Sequence, residues 1–155
     1  KVVSALKTVE YPGRWQHISS EPTIILDACH NGQGAKVSEP LWDGLPQGFE
    51  VWFAACGQDR ARDVLTPLLR RTRRVTLFEM DQPRSCTHEE LQKVVEGFTG
   101  EVSFARDSEI SKLCQRLHPH RTLLVTGSIY LIASVFSCFQ DHGKIPLSGN
   151  WQDHW

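Results

Sequence analysis

Thr23-Ile24-Ile25-Leu26-Asp27-Ala28-Cys29-His30-Asn31-Gly32 decides the fold. Its first four residues form a compact apolar run with β-branched side chains, the pattern of a strand covered on both faces. The run breaks at Asp27 into small and polar residues, and a helix is expected to start there and reach about Leu41, with Pro40 marking or disturbing its end. A strand buried on both faces that feeds a helix is the unit of a parallel sheet.

The same alternation continues outward. Upstream, Tyr11-Pro12-Gly13-Arg14 reads as a turn and Trp15–Ile18 as a short edge strand. Downstream, strands are expected at 49–55, 75–79, 102–104 and 122–126. The helices between and after them are placed at 62–71, from Thr87 to about Phe98, from Asp107 or Ser108 to near Leu117, and at 128–139. Thr87-His88-Glu89-Glu90 is a capping-box match with Thr87 as N-cap and Glu90 three positions on. Strands alternating with helices predict an α/β, Rossmann-like, mostly parallel sheet flanked by helices. Ligands of such sheets sit beyond the carboxyl ends of the strands, near helix N-termini. The residues to watch are therefore Asp27, His30, Asn31, Gly57, Gln58, Asp59, Thr126, Gly127 and Ser128.

Composition narrows the function. The 155 residues suit one domain; 40% are hydrophobic and 23% charged, which excludes a mainly disordered chain. Seventeen Lys and Arg against eighteen Asp and Glu leave a net charge of −1, so neither a general nucleic-acid binder nor a basic membrane-surface protein is indicated. Thr122–Gln140 is uncharged and about as long as a membrane span, but Thr126-Gly127-Ser128 divides it into a buried strand, a turn and a helix. No signal peptide opens the chain, and a cytoplasmic protein is expected.

The five cysteines (Cys29, Cys56, Cys86, Cys114, Cys138) form no C-x-x-C pair and read as reduced, mostly buried thiols. Cys86-Thr87-His88 and His118-Pro119-His120 each offer half a metal site without a matching half. Arg70-Arg71-Thr72-Arg73-Arg74 reads as a solvated helix C-terminus, with phosphate or nucleic-acid contact as the alternative. The chain has no G-x-x-x-x-G-K-[ST] and no G-x-S-x-G, and Gly32-Gln33-Gly34 lacks the third glycine of a dinucleotide fingerprint.

Three segments, in order, resemble one family. Tyr11-Pro12-Gly13-Arg14 is similar to the W-P-G-R that opens the C-terminal domain of folylpolyglutamate and dihydrofolate synthases. Ile25-Leu26-Asp27-Ala28-Cys29-His30-Asn31 is similar to their L-D-G-A-H-N, and Leu124 to Ile132 to their L-V-T-G-S-L-Y-L-V. Phe53 to Arg60 is a weaker match to a strand ending in a D-[KR]-D turn. The resemblance spans residues 11 to about 136.

It implies a Mur-type ligase that uses ATP and Mg2+ to join glutamate to a folate or dihydropteroate through an acyl phosphate. The P-loop and the Mg2+ ligands would lie in a central domain upstream. On that reading residues 1–10 are a linker or helix end, 11–140 the C-terminal domain, and 141–155 a tail without a family counterpart whose Trp151 and Trp155 dock on this or the partner domain. Lys1 would be a cut end, and this piece alone would be inactive. The resemblance implies that Arg14 reaches the ATP phosphates, that Asp27 holds the ribose, and that His30 positions ligand. Ser128 would meet the glutamate carboxylate, and Asn31 is either a ligand group or a helix N-cap.

Departures from the family pattern are Ala28 for Gly, Cys29 for Ala, and the order of charges in Gln58-Asp59-Arg60. Two alternatives stay open: a Mur-type ligase acting on a peptidoglycan precursor, and a non-catalytic binding module of the same fold.

Overall fold

The computed structural model describes residues 13–141; the expected linker, Tyr11 and Pro12 of the turn, and residues 142–155 of the tail lie outside them. The elements run β1 (Gln16–Ser20), β2 (Thr23–Asp27), α1 (Gly32–Asp43), β3 (Glu50–Phe53), α2 (Gln58–Leu69), β4 (Arg74–Glu79), α3 (His88–Val94) and β5 (Glu101–Arg106). A 3-10 turn (Asp107–Glu109) then leads into α4 (Ile110–Gln115), β6 (Thr122–Thr126) and α5 (Ile129–Asp141).

The strands form one sheet in the order β1-β2-β6-β3-β4-β5. Among the strands of the described residues only the edge strand β1 is antiparallel, to β2; every other strand-to-strand pairing is parallel. Side chains that alternate along each strand divide the core into two layers. Ile25, Val51, Phe53 and Leu124 pack under α1, α2 and α3, with Trp42, Leu65 and Leu91 among the helical contributions. Ile24, Leu26, Trp52, Leu123 and Val125 pack under α4 and α5, against Ile110, Leu131, Val135 and Phe139. A strand buried on both faces has no polar alternation to keep, hence the unbroken apolar runs.

This topology creates a crevice. β2 and β6 are neighbours, yet the helix after β2 covers one face of the sheet and the helix after β6 the other. The chain therefore parts at their carboxyl ends, where such sheets hold ligands. Register brings the ends level: Asp27 lies opposite Thr126, which lies opposite Phe53 on its other side.

Several boundaries differ from expectation for physical reasons. α1 passes through Pro40 to Asp43, because its last turn carries Trp42, which is almost wholly buried, and Gly44 caps it on the carbonyls of Leu41 and Trp42. α2 begins at Gln58, not near 62: Gly57, at φ 98°, turns the chain, and the Ala61 N–H reaches the Gly57 carbonyl at 3.0 Å. Gln58-Asp59-Arg60 is thus a first helical turn, not a loop. α3 has the expected capping box at Thr87 but ends at Val94, ahead of Gly97 at φ 82°. β5 is longer than expected because it follows β4 in register from Arg74–Glu101 to Glu79–Arg106. Thr122–Gln140 divides into β6, a turn and α5, and no helix among the described residues is long and apolar enough to cross a membrane.

Gly127 marks a tight point where β6 meets β3. It sits at φ 91°, and a Cβ there would overlap the Ala54 carbonyl oxygen and the Phe53 ring. Gly127→Ala should cost about 2–4 kcal/mol, the sum of backbone strain and overpacking, read as a lower urea midpoint. A loss below about 1 kcal/mol would show that the β3 and β6 ends are not locked together as described.

Candidate functional site

A cleft of about 540 Å³ opens at the carboxyl ends of β2, β6 and β3, bordered by Arg14, His30, Arg60, Arg84, Ser128 and Tyr130. Gly57, Gln58 and Gly127 bring the N-termini of α2 and α5 to its wall. Exposed backbone N–H groups and the positive ends of two helix dipoles favour an anion there. Three guanidiniums strengthen that preference, and each can hold two oxygens of a phosphate or carboxylate at once.

Arg14 is exposed on the turn that leads into β1. That turn is pinned to the end of β2: the Ala28 N–H donates to the Gly13 carbonyl at 2.6 Å, and the Trp15 N–H donates to the Asp27 carboxylate. Trp15 adopts φ 46°, a left-handed conformation that costs a bulky residue about 1–3 kcal/mol and persists only where neighbours hold it.

Asp27 is 5% exposed and does not border the cleft. Ser38 of α1 donates to its Oδ2 at 2.8 Å. Burial raises the Asp27 pKa above the usual carboxylate value, against the opposing pull of Ser38, the Trp15 N–H and Arg14. His30 is exposed at the rim, and its Nδ1–H donates to the Ala28 carbonyl at 2.9 Å. A carbonyl accepts only, so Nδ1 carries a hydrogen, while Nε2 lies 3.4 Å from the Asn31 side-chain amide nitrogen. Of the two readings of Asn31, the structure shows the cap: its Oδ1 accepts from the Gly34 N–H at 2.8 Å. Ser128, 4% exposed, borders the cleft and caps α5, accepting from the Tyr130 N–H at 3.3 Å.

Arg14, His30 and Ser128 therefore meet, Asp27 lies one layer beneath, and Asn31 serves the helix. Sequence reasoning passed over Arg84 and Tyr130. The loop after β4 folds back over the end of β3 through the Cys56–Ser85 bridge and the 2.8 Å bond from the Cys86 N–H to the Ala55 carbonyl, and so carries Arg84 to the cleft. The signal was present: Asp81-Gln82-Pro83-Arg84 follows a strand just as Asp27 does.

The basic cluster at 70–74 faces elsewhere. Arg71 pairs with Asp43 at 2.7 Å and Glu39 at 3.0 Å, and Arg74 with Glu101 at 2.8 Å. Among the described residues no three His, Cys, Asp or Glu side chains converge on a point a metal could occupy, so neither Cys86–His88 nor His118–His120 finds a second half.

The fold is that of an α/β domain found in folate ligases of known structure. Within that class the chain is similar to folylpolyglutamate and dihydrofolate synthases. It is 26% identical over 132 residues to a probable bifunctional folylpolyglutamate synthase/dihydropteroate synthase of Haloferax volcanii, covering 83% of this chain and 16% of that protein. It is 24% identical over 137 residues to the dihydrofolate synthase/folylpolyglutamate synthase of Bacillus subtilis, covering 85% of this chain and 31% of that protein. A bifunctional folylpolyglutamate synthase/dihydrofolate synthase from Yersinia pestis, solved with AMPPNP and a Mn ion, superposes with a TM-score of 0.72 at 20% identity over 87% of this chain and 33% of its own. The chain thus spans less than a third of the curated relatives it matches. No family model matches it.

The five cysteines form no disulfide; Cys29 and Cys86 are buried, and the other three are half-buried, fewer enclosed thiols than expected. Burial, reinforced by the Asp27 carboxylate, pushes the Cys29 thiol up to about 12. A thiol that stays protonated is a poor nucleophile. Peptide mapping after iodoacetamide treatment of the folded chain at pH 8 should find Cys29 unmodified, and modified only after denaturation. Alkylation of Cys29 in the folded chain would contradict its placement beside Asp27.

Proposed function

We propose that this chain is the C-terminal domain of an ATP-dependent ligase that adds glutamate to a folate or a dihydropteroate. The observation that carries the reading is the meeting of Arg14, Arg60, Arg84 and two helix N-termini at one crevice, in a fold shared with folylpolyglutamate synthases. Such a wall fits the two anions the reaction must hold, a triphosphate and an amino-acid carboxylate.

ATP would supply an activated phosphoryl group: the acceptor's carboxylate oxygen would take the γ-phosphoryl group and release ADP, and the glutamate amine would then attack the acyl carbon, expel phosphate and lose its proton to solvent. Arg14 would bind phosphate oxygens and stabilise the charge that builds on them during transfer. The N-terminus of α5 at Ser128 would hold the glutamate carboxylate. His30, held at the rim by the Ala28 carbonyl and the Asn31 side chain, would position the ligand. Asp27 would act from beneath rather than touch the ribose directly, given its burial. Mg2+ would be held by the upstream P-loop domain that completes the site, since the described residues of this chain gather no carboxylate set for it. The reaction would run in the cytoplasm.

The test is glutamate addition, followed by mass spectrometry, by the protein carrying this chain together with its P-loop domain. Arg14→Ala should raise the KM for ATP at least about tenfold, the loss of one charge-assisted contact, while the 155-residue chain alone turns nothing over. Unchanged ATP dependence in Arg14→Ala, or turnover by the chain alone, would overturn the reading.

A further inference from the structure

Asp27 poses a problem that the cleft alone does not solve. A carboxylate this buried is costly unless its oxygens are engaged, and here every partner comes from a different element. Ser38 donates from the middle of α1, and the Trp15 N–H donates from the turn that carries Arg14. Ser38 is itself 7% exposed and takes no part in the cleft wall. The turn is held at a second point by the Ala28 N–H on the Gly13 carbonyl, and internally by the Gly13 N–H on Gln16 Oε1 at 2.9 Å. Trp15, between these clamps, keeps a backbone conformation that a free turn would abandon.

We propose that Ser38 and Asp27 are positioning residues that clamp the Gly13–Trp15 turn to the end of β2 and thereby hold the Arg14 guanidinium at the cleft. The proposal deepens the reading of Arg14 as an anion contact and rests on it. α1 then does more than cover the sheet: through one hydroxyl it fixes a carboxylate, and through the carboxylate it fixes an arginine it does not touch. The charged or titratable groups facing Asp27 are Arg14, on the turn, and Cys29, just after β2. Cys29 stays protonated well beyond the range in which Asp27 titrates.

Two readouts on the 155-residue chain test this. In the first, the amide resonance of Trp15 is followed by NMR as a function of pH. The wild-type chain should show one transition, with a midpoint above the ordinary aspartate range, as the carboxylate that accepts from this N–H is protonated. Asp27→Asn should abolish the transition. Ser38→Ala should move it further up, because the hydroxyl favours the ionised form. Ser38→Thr, which keeps the hydroxyl, should return it toward wild type.

In the second readout, inorganic tripolyphosphate is titrated calorimetrically. Ser38→Ala should bind it about fivefold more weakly, the scale of one lost hydrogen bond, and Ser38→Thr close to wild type. A Trp15 transition and an affinity both unmoved in Ser38→Ala, with sheet amides dispersed as in wild type, would overturn the proposal. Tripolyphosphate binding unmoved in Arg14→Ala would instead overturn the anion reading of Arg14, while the Trp15 transition still decides whether the clamp exists.

Discussion

Three parallel strands end level with one another, and the rest of the molecule depends on that alignment. Asp27, Thr126 and Phe53 stand side by side across β2, β6 and β3. The alignment survives because Gly127 lets the chain leave β6 against the Ala54 carbonyl and the Phe53 ring, where no side chain fits. The Thr126 hydroxyl then donates to the Cys29 carbonyl at 3.3 Å, tying the exit of β2 to the end of β6. The result is a rigid ledge from which α1, α2 and α5 depart. A ledge of this kind sets where Arg14, His30 and Ser128 stand, although Arg14 and Ser128 lie more than a hundred positions apart in the chain.

Charge is sorted along the sheet. At the end away from the cleft, Arg71, Arg74 and Arg121 have carboxylates within 4 Å, from Glu39, Asp43, Glu50 and Glu101. At the cleft, Arg14, Arg60 and Arg84 form no salt bridge among the described residues. A net charge of −1 over the whole chain therefore hides a positive wall at one place, and overall composition is a poor guide to a local site.

Much of the fold was legible because its four central strands, β2, β3, β4 and β6, are buried on both faces and announced themselves as largely apolar runs; Thr122–Thr126 needed no correction. Helix limits were harder. Pro40 and Pro67 both lie inside helices, since Trp42 in the one and Leu68 in the other anchor the turn that proline weakens. No local rule reports that compensation, which depends on what the far side of the helix touches. The cleft was legible where a residue follows a strand directly, as His30 and Ser128 do. It was illegible at Arg84, where a fold-back through Ser85 and Cys86 does the placing. The depth of Asp27 was equally hidden: the sequence shows a carboxylate after a strand, and only the packing of α1 shows Ser38 closing over it.

Two features work against stability and occur together. A carboxylate is buried where desolvation disfavours its charge, and a tryptophan is held at φ 46° where a glycine would sit without strain. Neither is needed to complete the sheet, which closes through β2, β6 and β3 regardless. Local rules are broken in natural proteins chiefly where function requires it, and here both breaches bear on the same short turn. Relieving either, by a neutral residue at position 27 or a glycine at 15, would leave the core intact and free the turn. The unfavourable burial and the strained backbone are thus two sides of one constraint, that a flexible arginine be presented from a fixed point beside two helix N-termini. An arginine on a mobile turn would pay the entropy of ordering each time an anion arrived; one whose backbone is already clamped does not.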